Sequence, residues 1–212
     1  MRGTVHPGVP HDGAPGARAN ALKACTLVFL LALVPGCSQF GDTRVGDGPA
    51  GVLPADVPYY PSPDDAVMGM LRLAGTGPND TVYDLGCGDG RIAISAVKDF
   101  KAKRGLGVDF NPERLADCKK RMDDEKLTEE QRKKLTFKQG DVLKMTAEDF
   151  KDVDVVTMYL LQSVNDKVAP VLKKGLKPGA RVVSNTFHIE GWEPDKTETV
   201  GGYTIYLWTI KK

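Results

Sequence analysis

Beyond residue 80 the chain alternates between two hydrophobic rhythms. Short apolar runs at 81–85 (TVYDL), 104–110 (RGLGVDF), 135–139 (LTFKQ), 153–160 (VDVVTMYL) and 179–187 (GARVVSNTF) predict strands. Between them, apolar residues at three- and four-residue spacing predict helices over 91–100, from Pro112 to about Glu125, and over 163–176, where Pro170 should introduce a kink. A short charged helix capped by Thr128 and a capping-box turn, Thr146-Ala147-Glu148-Asp149, fill the remaining gaps. Upstream, Val67, Met70, Leu71 and Ala74 mark the apolar face of a first helix. Ser62 is its expected cap, with Pro63 in the first turn and Asp64 and Asp65 at the positive end of its dipole. At the C-terminus, TETV (197–200) and YTIYLWTIKK (203–212) flank Gly201-Gly202 and predict an antiparallel hairpin. The expectation is an α/β domain over 58–212, with a mostly parallel seven-stranded sheet, helices on both faces and the hairpin added at one edge.

The first 57 residues follow neither rhythm. Residues 1–36 combine Arg2, Arg18 and Lys23 with an apolar run from Ala24 to Val34, which suits the core of a signal peptide and is too short for a span of about twenty residues. Val34-Pro35-Gly36-Cys37-Ser38 resembles a bacterial lipoprotein box, making Cys37 the expected lipidated N-terminus and 37–57, rich in Gly, Asp and Pro, a flexible tether. A short signal-anchor with an incidental Cys37 is the alternative. A translation start nearer Val9 would shorten the polar lead. Either reading expects association with a membrane, on a face the sequence leaves open.

Charge narrows the partners. The 212 residues hold 29 Lys and Arg against 28 Asp and Glu, and removing 1–36 leaves 26 against 27. A near-neutral domain lacks the basic surface of a general nucleic-acid binder, and clusters such as Lys119-Lys120-Arg121 are interleaved with acids as on a solvated helix face. Of four cysteines, Cys25 and Cys37 fall in the leader, so Cys87 and Cys118 are left to the domain. Two thiols give neither a disulfide framework nor a metal pair, and no metal is expected.

The candidate chemistry lies after the first strand, in YDLGCGDGRI (83–92). Glycines there let a ligand approach the backbone, and a helix N-terminus follows. The spacing is GxGxG, and Arg91 stands where a dinucleotide fingerprint would place its last glycine. Asp84 and Asp89 would repel a pyrophosphate and attract a ligand carrying a sulfonium and an ammonium. Asp109 ends the second strand, where a carboxylate accepts ribose hydroxyls, and Gly140-Asp141-Val142 follows the third, where a carboxylate and a backbone N–H can read an adenine edge. S-adenosylmethionine has all of these parts.

YDLGCGDGRI, GVDFNPERL, GDV and the antiparallel tail resemble class I S-adenosylmethionine-dependent methyltransferases from about Pro58 to Lys212. More narrowly, PYYPSP, VVTMYLLQSVN, LKPGARVVSNTF and YTIYLWTI resemble the family related to the ATP synthase c-subunit lysine N-methyltransferase. The resemblance implies a Rossmann-like methyltransferase sheet and a methyl acceptor that is a protein lysine. It implies that Gly86, Gly88 and Gly90 form the methionine-binding turn, with Asp84 near the ammonium, Asp109 on the ribose and Asp141 with Val142 at the adenine. Phe110 and Asn111 are candidates for the adenine face, Asn111-Pro112 being also a helix cap. Tyr159 is the candidate at the transferred methyl. Tyr60, Asn165, His188 and Trp192 are candidates on the acceptor side, Asn165 as a catalytic residue and Tyr60 also within the cofactor shell. The family pattern has Tyr-Leu-Leu-Pro after the fourth strand, whereas this chain has Tyr159-Leu160-Leu161-Gln162, a departure that bears on the acceptor. A nicotinamide- or flavin-dependent oxidoreductase on the same sheet and a non-catalytic binding module are the competing readings.

Overall fold

A computed structural model of the chain describes residues 60–211. The signal peptide expected over 1–36, Cys37 and the tether over 37–57 lie outside the described residues. Helix α1 (Asp64–Leu73) precedes strand β1 (Thr81–Leu85), helix α2 (Arg91–Lys98), strand β2 (Arg104–Asp109), helices α3 (Pro112–Asp124) and α4 (Glu129–Lys133), and strand β3 (Leu135–Gln139). Two 3-10 turns, Val142–Lys144 and Ala147–Phe150, lead into strand β4 (Val155–Met158), helix α5 (Gln162–Gly175) and strands β5 (Arg181–Asn185), β6 (Lys196–Val200) and β7 (Tyr203–Thr209).

The seven strands form one sheet in the order β3-β2-β1-β4-β5-β7-β6. Strands β1 to β5 are parallel, and β7 pairs antiparallel with both β5 and β6. Every residue of β1 and of β4 is buried, as continuous apolar strands covered on both faces must be. The two edges are polar instead: β6 reads KTETV and exposes all but its last residue, and β3 reads LTFKQ. Charges on the edges discourage pairing with other chains.

Two cores cover the sheet. On one face Val67, Met70 and Leu71 of α1 and Ile92 and Ala96 of α2 pack on Val82, Val155 and Val183. On the other, Val168 and Leu172 of α5 and Phe150 pack on Leu85, Val156, Met158 and Trp208. The order of strands reverses between β1 and β4, so the chain leaves these neighbours in opposite directions and opens a crevice beyond their carboxyl ends.

Local departures from the expected elements have physical causes. Ser62 is not the cap of α1; Pro63 holds that position without a side-chain cap bond. Ser62 precedes a proline, which favours extended backbone, and its buried hydroxyl accepts from Asn185 Nδ2 at 3.4 Å. Helix α5 continues through Pro170, which sits on its exposed face, where water can reach the carbonyl that the missing N–H leaves unpaired. Strands β2, β4 and β5 stop one to two residues before their apolar runs end, and Phe110, Tyr159, Leu160 and Phe187 turn away from the sheet. No helix among the described residues is long and apolar enough to cross a membrane.

Candidate active site

The turn after β1 is built on glycines in left-handed conformations: Gly86 at φ 73°, Gly88 at 53° and Gly90 at 78°. Packing makes the same demand, since a Cβ on Gly86 would lie 2.5 Å from Leu160 and one on Gly90 2.8 Å from the Phe137 ring. Gly86 N and Cys87 N both donate to the Val108 carbonyl, at 2.9 and 3.0 Å, which ties the turn to the end of β2. Asp109 completes the tie: its Oδ2 accepts from Gly88 N at 2.8 Å and its Oδ1 from Asn111 N at 2.9 Å. A carboxylate has about four lone-pair sites, so two remain for hydroxyl donors.

Asp84 is the electrostatic centre. It is 1% exposed; its Oδ1 accepts from Thr157 Oγ1 at 2.8 Å, and its Oδ2 has no hydrogen-bond partner among the described residues. Burial pushes its carboxyl up to about 7; the Thr157 bond opposes that shift, and the nearby charges of Asp109 and Asp89 add to it. A buried carboxylate with one oxygen unmatched is a place for a cation.

Asp89 is not a second such place. Burial alone would raise its carboxyl, but the Arg91 guanidinium, with help from Arg121, outweighs this and holds it below the usual carboxylate range. Arg91 Nε donates to Asp89 Oδ1 at 2.9 Å and a terminal nitrogen to Oδ2 at 2.7 Å, a bidentate pair. Its other terminal nitrogen donates to the Ser62 carbonyl at 2.7 Å. The expectation that two carboxylates together attract the ligand therefore reduces to Asp84, and Arg91 straps the segment 60–62 across the turn.

These elements enclose a cavity of about 670 Å³, within the usual range for small-molecule sites. Tyr60, Asp84, Gly86, Gly88, Asp109, Phe110, Asn111, Val142 and Tyr159 all line it. Its composition divides along the sheet. Lining residues at the ends of β1 and β2 and after them include Asp84, Asp89, Arg91, Asp109 and Arg114, whereas those after β4 and β5 are Tyr159, Leu160, Leu161, Val164 and Phe187.

Gly90, Asp141, Asn165, His188 and Trp192 stand behind or outside this wall, whereas Asn111 and Cys87 are part of it. Gly90 is the N-cap of α2. Asp141 caps the 3-10 turn, its Oδ1 accepting from Leu143 N at 2.9 Å. Asn165 is fully buried, its Nδ2 donating to Ser184 Oγ at 3.2 Å and to the Phe187 carbonyl at 3.1 Å. His188 is half exposed and lies 3.3 Å from Gln162 Nε2. Trp192 stacks near Trp208, with Lys173 Nζ 4.4 Å from its ring centre. Asn111 realises its capping role, accepting from Glu113 N at 2.9 Å. Cys87 and Cys118 are buried free thiols, and a contact with Cys118 together with burial raises the Cys87 thiol. Arg114, Leu160 and Phe187 line the cavity without having been singled out by sequence. The available signal for the last two was their place at the ends of apolar runs that extend past strands β4 and β5.

Residues 84–196 match the family model described as the ANTKMT methyltransferase domain. A protein-lysine N-methyltransferase of Saccharolobus islandicus (strain REY15A) is 40% identical over 158 residues, covering 73% of this chain and 94% of that protein. The chain belongs to this methyltransferase family. A crystal structure of an RNA methyltransferase from Salinibacter ruber in complex with S-adenosyl-L-homocysteine is 38% identical and superposes with a TM-score of 0.66, covering 72% of this chain and 95% of that one. Precorrin 8w decarboxylase from Methanobacterium thermoautotrophicum, 17% identical with a TM-score of 0.56 over 71% of this chain and 92% of that one, shares the fold alone.

The methyltransferase is S-adenosylmethionine-dependent, and the nicotinamide or flavin reading is set aside. The residues fit that cofactor: the unmatched Asp84 oxygen suits its ammonium, Asp109 keeps acceptor capacity for a diol, and the cradle at Gly86 would be filled by any larger side chain.

Proposed function

We propose that this methyltransferase modifies the side-chain amine of a protein lysine. The observation that carries the reading is the composition of the acceptor half of the cavity, where β4 and β5 contribute Tyr159, Leu160, Leu161, Val164 and Phe187 and no ionisable carboxylate or cation. An amine attacks only when deprotonated, and an apolar wall favours that form by penalising the ammonium. The ring of Tyr159 presents a face to the amine and its aliphatic stem. The protein-lysine specificity named for the Saccharolobus relative supports the same acceptor.

The Salinibacter relative is named for RNA, and the charges of this chain argue against carrying that acceptor over. The two cations lining the cavity are already engaged, Arg91 with Asp89 and the Ser62 carbonyl, and Arg114 with Asp117 at 2.9 Å. A phosphate backbone would find no basic track there.

When bound, S-adenosylmethionine supplies a methyl group on a sulfonium that is already a good leaving group. The protein's task is then alignment. Asp84 and the glycine turn fix one end, Asp109 the middle, and Tyr159 with its apolar neighbours excludes water where the amine enters. Orientation of this kind is worth about 7–11 kcal/mol. The lysine ammonium gives up its proton to solvent before the attack, and the new C–N bond forms as the C–S bond breaks, leaving a cationic methylated amine and a neutral thioether.

The test is incubation of the full chain with methyl-labelled cofactor and cell extract, followed by acid hydrolysis of the protein fraction. Label in methylated lysine supports the reading. Label confined to nucleic acid, lipid or small molecules overturns it.

A further inference from the structure

Phe187 reaches the cavity from a turn under strain. Strand β5 ends at Asn185, and Thr186 then adopts φ 66°, the left-handed region that a β-branched residue avoids. The turn closes with Phe187 N donating to the Asn185 carbonyl at 2.7 Å, while Thr186 N is held by the Thr204 carbonyl of β7 at 2.7 Å. Two fully buried polar side chains clamp the far side. Ser184 Oγ donates to the Phe187 carbonyl at 2.5 Å and Asn165 Nδ2 donates to it at 3.1 Å, leaving Asn165 Oδ1 buried without a partner among the described residues. This arrangement fixes the backbone that carries the ring, and Phe187 lies against Tyr159 with centroids 6.2 Å apart and planes 30° from parallel, both residues lining the cavity.

Strain of this kind persists only where surrounding contacts over-determine it, and it concentrates at functional sites. Buried polar groups with an unsatisfied atom are likewise tolerated where they fix something else. Here both features converge on a single ring, and that ring lies on the apolar half of the site, across the reversal of strand order from Asp109 and the ribose end.

We infer that Phe187 is an acceptor-positioning residue, which with Tyr159 forms an aromatic wall for an amine carried on an aliphatic stem, and that Thr186, Ser184 and Asn165 are the device that sets its ring. This rests on the lysine reading above. Asn165, expected to be catalytic, acts through Phe187 instead. The wall holds the stem by dispersion and attracts the amine, and more strongly its methylated cationic product, through the ring faces.

The experiment compares full-length wild type with Phe187→Leu, Phe187→Tyr and Thr186→Gly. Each is measured for melting temperature, affinity for S-adenosylhomocysteine by calorimetry, and the initial rate of label transfer to a mixture of lysine-containing peptides. Phe187→Leu is expected to lose about tenfold in rate, the scale of a lost ring–cation contact, and Phe187→Tyr to restore most of it. Thr186→Gly keeps the ring while relaxing its turn and is expected to lose about threefold without a lower melting temperature. All three should bind S-adenosylhomocysteine within about twofold of wild type, because the cofactor contacts lie on the other half of the site.

Equal rates for Phe187→Leu and wild type, or parallel loss of S-adenosylhomocysteine affinity, would overturn the inference. Should wild type label no lysine, the lysine reading fails. The three variants are then assayed on the extract fraction that wild type does label, and an undiminished rate for Phe187→Leu there overturns the positioning role as well.

Discussion

Thr157 donates a hydrogen bond to one carboxylate oxygen of Asp84, at 2.8 Å from the neighbouring strand, and leaves the other oxygen unmatched in a site 1% exposed to solvent. The pair joins β1 to β4 at the reversal of strand order, so the fold's own switch point carries a buried carboxylate with one unmatched oxygen. This arrangement makes the ligand-free protein less stable than it need be and reserves the missing interaction for a cation.

The stability of the ligand-free protein follows from that cost. Asp84 is raised from 3.8 to about 7 on folding, so between those values the folded state binds more protons than the unfolded one. Its contribution to stability therefore declines as pH rises from about 4 to about 7, and the penalty is full above 7. Asp84→Asn should remove the decline and raise ligand-free stability at pH 8 by on the order of 2 kcal/mol. Denaturant titrations of both proteins at pH 5 and pH 8 check it; identical pH dependence would show that Asp84 is not the group responsible.

Cofactor binding should respond in the opposite sense. A cation prefers the ionised carboxylate, so affinity for S-adenosylmethionine should fall as pH drops below about 7, approaching tenfold per unit. Asp84→Asn should bind more weakly at pH 8 with a flatter profile. Calorimetry across pH 5.5 to 8, a range of about two and a half units around that value, gives both curves.

Arg91 ties the segment before α1 to the glycine turn through Ser62 and Asp89. Arg91→Ala leaves a half-buried Asp89 with Arg121 at 3.7 Å and frees the Ser62 carbonyl. Cofactor affinity should fall by about 1–3 kcal/mol, with faster proteolytic cleavage near Tyr60. Arg91→Lys should recover little, since an ammonium cannot make the bidentate pair and reach the carbonyl together. Full recovery by lysine would reduce Arg91 to a simple counter-charge.

At the other end of the chain, the lipoprotein reading of Cys37 makes a separate claim. Cys37→Ser should shift the protein from the membrane to the soluble fraction or leave a longer, uncleaved precursor. Fractionation and intact-mass measurement check both, and no change in either would remove that reading.

Much of this site is legible in the amino-acid sequence. The alternation of periods located the strands and helices, because burial on one face or on two writes itself into spacing. The glycine turn, Asp84 and Asp109 were legible because their positions follow from where strands end. Three features were not. The pairing of Asp89 with Arg91 depends on side-chain geometry that spacing does not encode, and the sequence alone made Asp89 look available. Ser62 looked like a cap because its neighbours do, while its partner, Asn185, is far away in sequence. Phe187 read as the last residue of an apolar strand, and it is the departure of the backbone at a strained Thr186 that turns it into the cavity.

We propose that the charge on Asp84 separates this turn from one that binds a pyrophosphate, and two ligands isolate it. S-adenosylmethionine has an ammonium and a sulfonium; methylthioadenosine shares its adenine and ribose and has neither. Calorimetry of both ligands on wild type, Asp84→Asn and Asp109→Ala compares the two carboxylates directly. Asp84→Asn should weaken S-adenosylmethionine by roughly 1.5–3 kcal/mol and methylthioadenosine far less, whereas Asp109→Ala should weaken both alike. Equal losses for the two ligands in Asp84→Asn would mean that Asp84 only braces the turn and that its charge does not select the cofactor.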